Sequence, residues 1–438
     1  MKTNSNNIMK MNLKSVTSLI LSLIVTLGSA AAVRPQERHR ILVSTDIGGT
    51  DADDNQSMAH LLMYSDLFDI EALVSTPTFG DGSKAEILRM IDVYEKDYPR
   101  LVAHASGLLS PDSLRSLCRQ GADRRAPYCG YSTPTDGSQA IVEAARRQDP
   151  RPLYVLVWGA LEDVAQALHD APDIKDKIRV YWIGGPNKKW GANAYAYIAE
   201  KFPDLWMIEN NASYRGFISD NKRDDRFNSR YYDEVIKGAG ALGEDFKSYY
   251  DGNVKMGDSP SLFYVMNGDP SRPDTESWGG QFQRISYSPR KVFTYMTTVQ
   301  DTVPVYSIAE FRFKGIAGVV PVGEVAFTMT IDGQEWDGVY LGGWEYGVRY
   351  VPKAPGTLNY RLSAPLIPAM DGLKGSIVVS GLWPGKKFKE SYPLGKNWWS
   401  DRTTRSLFRG KWQGAATTEK WREAVLTDWS KRWAWLKE

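Results

Sequence analysis

Residues 41–58, ILVSTDIGGTDADDNQSM, run from a short apolar segment through a turn rich in aspartate and glycine into a helical pattern. Four aspartates, Asp46, Asp51, Asp53 and Asp54, therefore gather where a buried strand should end. Open α/β sheets bind ligands at the carboxyl ends of their strands. This stretch indicates both the fold class and the place of a functional site.

Strand-like and helix-like segments alternate after this stretch. Apolar strand patterns recur over residues 70–76, 153–157 and 178–183 with helical patterns between them, and residues 101–104 fit a further short strand. Repeated βα units favour a mostly parallel open sheet with helices on both faces. We therefore predict an α/β domain over residues 37–300.

The pattern changes beyond that domain. Short segments of alternating apolar and polar residues predict an antiparallel β-sandwich, immunoglobulin- or fibronectin-like, over residues 301–395. Residues 396–438 return to a helical pattern with one apolar stripe, formed by Trp421, Val425, Trp429 and Trp433. We predict that the sandwich is an insertion and that the last segment packs back onto the α/β domain.

Residues 1–32 have the features of a secretory signal peptide. Three lysines precede an apolar run, and small residues follow it. The run is shorter than the roughly 20 residues that a membrane-spanning helix needs. We predict cleavage near Ala31 or Ala32, and a secreted or periplasmic protein without a membrane span.

The composition is that of an ordinary globular protein. The chain has 438 residues, of which 42% are hydrophobic and 24% charged, enough for a sizeable core and more than one domain. Its formal net charge is +2, and loss of the lysines in the signal segment brings the mature chain close to neutrality. No basic surface for a nucleic acid polymer is indicated. A homo-oligomer is left open.

The chain contains two cysteines, Cys118 and Cys129. In an oxidising compartment they could close a small loop, so we predict a disulfide between them. Two free thiols are the alternative. A zinc site is not indicated, because no histidine lies near the two cysteines in the sequence.

The aspartates of the first stretch point to a metal ion. Carboxylates brought close together repel one another unless a cation or protons are present, and Ca²⁺ prefers oxygen ligands. The alternative is that Asp53 or Asp54 caps the helix that follows. Capping occupies one aspartate and leaves the others unexplained, so a metal site is the more economical hypothesis.

The same stretch resembles the N-terminal aspartate motif of nucleoside hydrolases, and more closely that of the secreted nucleoside-hydrolase-like proteins named as cellulose-binding. Further segments resemble later motifs of that family in the same order: Phe79-Gly80-Asp81, Gly159-Ala160-Leu161-Glu162-Asp163, Trp182-Ile183-Gly184-Gly185, Gly257-Asp258-Ser259 and Lys420-Trp421-Arg422. The resemblance covers about residues 38–290 and 400–438 and implies an α/β sheet of nucleoside-hydrolase type. The predicted sandwich lies outside it.

The resemblance implies a Ca²⁺ cofactor and hydrolysis with inversion. The implied calcium ligands are Asp46, Asp54, Asp258 and the backbone carbonyl of Glu162. Asp46 would also be the general base for the attacking water, and Asp53 would bind a sugar hydroxyl. Asp51 would be a spectator in the longer loop.

Two departures from the family bear on the substrate. Asp81 stands where nucleoside enzymes have a sugar-binding asparagine, and Gly257 stands where purine-selective members have a histidine. These changes favour a glycan or furanoside over a purine nucleoside, with Asp81 or Glu276 as the acid. Further candidate substrate contacts are Asn187, Asn193 and Trp278.

The sequence thus predicts a secreted, calcium-dependent, inverting hydrolase of glycosidic bonds that acts on a carbohydrate or small glycoside. Two alternatives remain open. One is a non-catalytic protein that binds a carbohydrate or polysaccharide, and the other is a ribonucleoside hydrolase.

Overall fold

The apolar start of residues 41–58 forms strand β1 (His39–Thr45) in the middle of an eight-stranded sheet. The computed structural model describes residues 38–77, 82–218 and 226–437. The predicted signal peptide and Asp81 therefore lie outside the described residues.

The first sheet is built from repeated βα units. After β1 come β2 (Phe68–Ser75), β3 (Cys118–Gln120), β4 (Leu153–Val157), β5 (Ile178–Ile183), β6 (Trp206–Asn210) and β7 (Phe282–Arg284). Strands β1 to β6 are parallel and lie in the order β3-β2-β1-β4-β5-β6. Their carboxyl ends meet at one edge of the sheet, where ligands bind in such folds.

Helices cover both faces of this sheet. They are α1 (Asp53–Met63), α2 (Lys84–His104), α3 (Pro111–Leu117), α4 (Asp136–Arg146), α5 (Glu162–Asp170), α6 (Pro186–Trp190), α7 (Ala192–Lys201), α8 (Gly240–Lys247), α9 (Ser259–Met266), α10 (Ala416–Glu419) and α11 (Arg422–Trp435). Along β1, Ile41 and Val43 belong to one apolar core and Leu42 to another. Burial on both faces explains why this strand is apolar throughout its centre.

The third strand differs from the prediction. Residues 101–104 are the end of α2, which continues through Pro99 to His104. The strand next to β2 is β3, whose three residues pair with Leu73 to Ser75. The assignment of residues 101–104 to a strand was therefore wrong.

The chain leaves the first sheet after β7 and forms an antiparallel domain. Strands β8 (Tyr287–Ser288) and β17 (Tyr392–Pro393) form a two-stranded pair. The eight strands of the second sheet are β9 (Arg290–Phe293), β10 (Thr302–Pro304), β11 (Ile308–Lys314), β12 (Val325–Ile331), β13 (Gln334–Gly342), β14 (Glu345–Tyr350), β15 (Gly356–Ser363) and β16 (Lys374–Ser380). Its order is β10-β16-β15-β12-β13-β14-β11-β9, with parallel pairing only at its two outermost contacts.

Strand β18 (Trp398–Asp401) returns the chain to the first sheet, where it lies between β6 and β7. The second sheet is therefore an insertion between two neighbouring strands of the first. This confirms the predicted fold class of a mostly parallel α/β sheet with an inserted antiparallel domain. The chain from His39 onward forms one compact unit.

The apolar stripe of the last helix is buried against the first sheet's helices. Trp429 and Trp433 are fully buried. The Trp429 ring meets the rings of His60 in α1 and Phe246 in α8 edge-on, at centroid distances of 5.2 and 5.8 Å. Helix α11 thus closes one apolar core. In the part of the chain that the structure describes, no helix is long and apolar enough to cross a membrane.

The predicted disulfide is not formed, and this prediction was wrong. Cys118 is buried at the start of β3, whereas Cys129 is exposed, and both thiols are free. The Cys118 Sγ donates to the Leu114 carbonyl at 3.4 Å, and the Cys129 Sγ donates to the Tyr131 carbonyl at 3.1 Å. Each thiol is thus directed at a carbonyl of its own segment.

Candidate functional site

The carboxyl end of β1 carries the first aspartate of the candidate site. Asp46 follows the strand directly, and its carbonyl accepts a hydrogen bond from the Gly49 N–H at 3.0 Å. Gly48 in this turn has a φ of +87°, a conformation that glycine adopts without steric cost. The turn leads the chain along the sheet edge to the start of α1.

Asp53 and Asp54 lie in the first turn of α1. The N-cap residue is Ala52, and no side chain caps the helix, so the alternative role of helix capping was wrong. Both aspartates are buried, Asp54 with only 3% exposure. The helix dipole favours an acidic residue here by only about 0.3–1 kcal/mol, which is small beside the cost of burying a charge.

A third carboxylate reaches the same place from a distant part of the sequence. Asp258 is the N-cap residue of α9 and is buried. Carboxylate oxygens of Asp53, Asp54 and Asp258 all lie within 4.8 Å of one another. The Thr45 hydroxyl donates to Asp54 Oδ1, which ties the cluster to the end of β1. We call these three residues the aspartate cluster.

Burial raises the pKa of all three carboxyls. It raises the pKa of Asp53 to about 7, although Lys255 opposes the shift. The pKa values of Asp54 and Asp258 lie well above their usual range, because neighbouring carboxylates reinforce the effect of burial. The aspartate cluster therefore holds more negative charge than the surrounding protein compensates.

The donor set of the aspartate cluster suits a hard divalent cation. Three buried carboxylates offer the oxygen ligands that Ca²⁺ prefers. A bound cation would also offset the mutual repulsion that raises their pKa values. The residues present therefore fit the calcium ion that the resemblance implies.

The aspartate cluster borders a cavity of about 90 Å³ at the strand ends, which we call the aspartate cavity. Side chains from several neighbouring segments line it, among them Asp46, Trp158, Asn187, Tyr214, Arg215 and Lys255. The Asn187 Nδ2 donates to the carbonyls of Trp158 at 2.6 Å and Ile183 at 3.0 Å. These bonds fix the amide at the cavity wall, where the prediction expected it.

The side chains of Asp46 and Asp53 lie very close to two glycines of the motifs. A Cβ at Gly159 would lie 2.8 Å from the Asp46 Cβ, and a Cβ at Gly257 would overlap Asp53 Oδ2. A side chain at position 257 would therefore require the Asp53 carboxylate to shift.

Asp51, the predicted spectator, is not one of the three clustered carboxylates but has partners of its own. Asp51 lines the aspartate cavity, and its carboxylate accepts hydrogen bonds from the Tyr250 hydroxyl and the Lys255 ammonium. The Lys255 Nζ also lies 3.7 Å from Asp53 Oδ2. Asp51 thus holds a cationic side chain beside the aspartate cluster.

Glu162 and Asn193 are directed elsewhere. The Glu162 side chain lines a second cavity, bordered by residues 120–136, and accepts a hydrogen bond from the Ala126 N–H at 3.3 Å. Its backbone carbonyl as a ligand stays a prediction. The Asn193 Nδ2 donates to the Ala126 carbonyl at 3.1 Å, and its Oδ1 accepts from Arg349 of β14 at 3.2 Å. Asn193 therefore connects α7 to the second sheet.

Glu276 and Trp278 also lie apart from the aspartate cavity. Glu276 is exposed and forms an ion pair with Lys420. Trp278 is half-buried and packs against the apolar core that contains α9. Asn193, Glu276 and Trp278 are all described residues and none lines the aspartate cavity, so the structure does not bring them together with the aspartate cluster. Their substrate contacts stay predictions. Asp81 lies outside the described residues, and its role stays a prediction.

Besides Asp51, four lining residues with aromatic or charged side chains were not predicted as site residues. Trp158 follows β4 directly and precedes the Gly159 motif, so its position at a strand end could have indicated it. Tyr214 and Arg215 lie in a short 3₁₀ turn and Lys255 in an irregular segment, both without a periodic pattern. No sequence signal places those three at the cavity.

Comparisons with known proteins agree with this fold. Residues 40–282 match the family model described as "Cellulose-binding Sde182, nucleoside hydrolase-like domain". A solved nucleoside hydrolase-related hypothetical protein from Saccharophagus degradans, associated with carbohydrate metabolism, is 18% identical over 78% of this chain and 100% of that chain, with a TM-score of 0.48. The inosine-uridine preferring nucleoside hydrolase from Bacillus anthracis is 13% identical over 58% of this chain and 87% of that chain, with a TM-score of 0.39. None of the curated proteins matches the chain.

Proposed function

The chain belongs to the family of cellulose-binding Sde182 proteins with a nucleoside hydrolase-like domain, and we propose that it is a calcium-dependent hydrolase of glycosidic bonds. The aspartate cluster carries this proposal, together with Asp46 on the wall of the same cavity. A protein that only held a sugar would have little need for a further carboxylate facing such a cluster.

The aspartates have separate roles in this proposal. Asp53, Asp54 and Asp258 are the candidate ligands, and Asp46 borders the same space. Bound Ca²⁺ would supply positive charge that makes an attacking water more acidic and orients a sugar diol. Asp46 takes up the proton of that water as general base. The fixed amide of Asn187 bounds the space in which the sugar lies.

The proposed substrate is a glycan or furanoside. Gly257 has no side chain that could protonate a departing purine. No histidine lines the described part of the aspartate cavity, so protonation of the leaving group falls to another acid, for which Asp81 is the candidate. Direct attack by water inverts the anomeric configuration, because no carboxylate bonds to the sugar.

Two measurements on the mature chain test the proposal. Titration calorimetry should detect one calcium ion per chain. NMR of reactions with aryl glycosides, oligosaccharides and nucleosides should detect a product of inverted configuration, which a chelator abolishes. Asp54→Asn should lose both properties. Asp112→Asn, at a fully solvated position of α3, is the matched control. Absence of calcium binding together with absence of product would overturn the proposal.

Binding of a polysaccharide without catalysis is the second candidate function. The description of the family as cellulose-binding favours it. Trp344, in the turn between β13 and β14, is 63% exposed and offers a flat apolar face of the kind that stacks on sugar rings. Calcium-independent retention on insoluble cellulose, lost in Trp344→Ala and unaccompanied by any soluble product, would establish this candidate instead.

Export completes the proposed function. Its support is the signal-peptide pattern of residues 1–32, which lie outside the described residues, and the family's description as cellulose-binding. Expression of the full-length chain in a secreting host should yield a mature N-terminus close to Ala31 or Ala32. N-terminal sequencing of the exported protein checks this, and retention of Met1 would contradict it.

A further inference from the structure

A half-buried arginine beside the aspartate cluster has no role in the proposed reaction. Arg215 lies in the 3₁₀ turn Ser213–Gly216, which follows β6, and it lines the aspartate cavity. Its Nε is buried, and this atom has no hydrogen-bond partner among the residues that the structure describes. Burying part of a guanidinium without a partner is costly. Its position therefore calls for a ligand or another compensation.

The turn that carries Arg215 is firmly anchored. Asp401, at the end of β18, accepts hydrogen bonds at 2.9–3.0 Å from three successive backbone N–H groups, those of Asn211, Ala212 and Ser213. This anchor comes from the strand that returns after the inserted domain. Groups held in this way are positioned before a ligand arrives, which is what specific recognition requires.

Two aromatic rings fix the orientation of the guanidinium. The Arg215 Cζ lies 5.0 Å from the ring centroid of Tyr214 and 4.8 Å from that of Trp412. An arginine stacked on aromatic faces keeps its in-plane N–H groups for other partners. Those groups form a fork that matches the two oxygens of a carboxylate, sulfate or phosphate.

Two buried arginines of this chain, Arg40 and Arg432, bind a carboxylate. The Arg40 Nε lies 2.7 Å from Glu71 Oε1, and the Arg432 Nη1 lies 2.6 Å from Asp66 Oδ1. Arg215 forms no ion pair with any carboxylate in the described ranges 38–77, 82–218 and 226–437. Unlike those two arginines, it lines the aspartate cavity.

Lys255 offsets part of the charge of the aspartates, since its Nζ binds Asp51 and lies 3.7 Å from Asp53 Oδ2. Arg215 also interacts with the charge of Asp53. Once a divalent cation occupies the aspartate cluster, a second fixed cation nearby repels it. An anionic group on the ligand would interact favourably with both.

We propose that Arg215 binds an oxyanion on the sugar in the aspartate cavity, and that the substrate is therefore an acidic glycan. The oxyanion is the carboxylate of a uronic acid or a sulfate or phosphate ester, and two of its oxygens accept hydrogen bonds from the guanidinium fork. The inference rests on the proposed function, because it assigns the sugar to the same cavity. A neutral sugar would leave the fork without an acceptor.

Binding of monosaccharides to the calcium-loaded mature chain tests this inference without requiring catalysis. Calorimetric titration would compare glucuronate, galacturonate, glucose 6-sulfate and glucose 6-phosphate with neutral glucose and galactose. We expect at least one acidic class to bind about tenfold or more tightly than the neutral sugars, as expected for a charge-assisted bidentate contact. The carboxylate and ester arms distinguish the two sources of the oxyanion.

Three variants decide whether Arg215 causes the preference. Arg215→Gln should abolish it, and Arg215→Lys, which keeps the charge and loses the fork, should retain only part. Arg405→Gln is the matched control, because Arg405 also lies in a 3₁₀ turn with its Cζ 4.8 Å from an aromatic ring centroid, that of Phe408, but is exposed and does not line the cavity.

The inference is overturned if acidic and neutral sugars bind equally, if no acidic sugar binds, or if Arg215→Gln weakens both classes alike. Circular dichroism of each variant checks folding, and Arg215→Lys decides the matter if Arg215→Gln does not fold. Assays of hydrolysis on the same preparations separate the two proposals. Selective binding without any product would contradict the proposed hydrolase and leave the acidic preference standing.

Discussion

Two buried clusters of charged residues lie near the carboxyl ends of the strands, and they differ in charge balance. Lys188 of α6 and Glu209 of β6 are both fully buried and pair at 2.7 Å. Glu209 also accepts hydrogen bonds from Tyr195, Asn211 and Trp398. The aspartate cluster brings three carboxylates within 4.8 Å of one another, with Lys255 as the nearest cation.

The difference indicates what each cluster is for. The Lys188 Nζ lies 3.7 and 3.8 Å from the ring centroids of Tyr195 and Trp383, so every charge in its cluster has a partner within the protein. That cluster fastens α6, and with it the neighbouring Asn187, to the strand ends. The aspartate cluster lacks such a balance within the protein, and its donor set suits a cation from solution. Buried charges that pair within the protein stabilise the fold, whereas buried charges without such partners indicate a ligand site.

Breaking the ion pair of Lys188 and Glu209 should have the largest effect on the stability of the protein. Lys188→Met leaves Glu209 buried without a cation, so we expect the free energy of unfolding to fall by about 3–5 kcal/mol. Urea unfolding measures this change. Adding Glu209→Gln should restore much of the loss. Lys201→Met, which breaks an exposed pair with Glu200, is the control and should cost less than about 1 kcal/mol. A cost as small as the control's would contradict the structural role of the pair.

Removing one charge from the aspartate cluster should raise the stability of the calcium-free chain rather than lower it. Without calcium, Asp54→Asn relieves repulsion and should raise the free energy of unfolding by about 1–2 kcal/mol. With calcium at about 100 times its dissociation constant, the wild-type chain should gain about 2.7 kcal/mol and the variant almost nothing. Urea unfolding in chelator and in calcium checks both. Asp112→Asn should behave as wild type, and an equal calcium response in Asp54→Asn would contradict the assignment.

The pH dependence of stability should also separate the clusters. The pKa of Asp53 is raised from 3.8 to about 7 in the folded chain, so the folded state binds the proton more strongly than the unfolded state. This contribution is fully present below about pH 4 and is lost as the pH rises to about 7, so metal-free stability should fall over that window. Calcium requires the ionised carboxylates and should reverse the trend.

Melting temperatures between pH 5 and 8 measure this dependence. Subtracting the profile of Asp53→Asn removes the contributions of other buried carboxyls such as Glu162 and Asp401, whose pKa values are also raised. The difference should be steep in chelator and absent or inverted in calcium. Identical profiles for the wild-type chain and Asp53→Asn would show that Asp53 does not titrate in this range.

Much of the fold could be predicted because its buried strands are short apolar runs between amphipathic helices. The end of α2 could not be predicted, since Pro99 indicates a break in the helix. In the structure, the burial of Leu101 keeps the following turn helical. Tertiary packing overrides local propensity in such places. Strand β3 (Cys118–Gln120) is too short to leave a periodic pattern.

The candidate site also contains residues that the sequence could predict and residues that it could not. Asp46, Asp53 and Asp54 could be found because one strand end and one helix start carry them all. The turn that carries Arg215 is held by hydrogen bonds that its preceding backbone N–H groups donate to Asp401, which lies beyond the whole inserted domain. Sequence spacing does not encode contacts of that kind. The same limit explains Asn193, whose partner Arg349 lies in the inserted sheet.

The smallest effect is expected at Glu276, the carboxylate that the sequence suggested as an acid. Its ion pair with Lys420 is exposed on both sides, at 54% and 41%, and such pairs contribute about 0–1 kcal/mol. Glu276→Gln should therefore change the free energy of unfolding by less than about 0.5 kcal/mol and sugar binding or turnover by less than about twofold. The same substitution in the balanced cluster, Glu209→Gln, should cost several times more, because it replaces one of the two oxygens that accept from four buried donors and leaves Lys188 buried without a carboxylate. Urea unfolding and turnover of both variants make the comparison. A loss of turnover above about tenfold in Glu276→Gln, with stability unchanged, would return this carboxylate to the reaction as its acid, and would mean that an exposed group can join the site when a substrate binds.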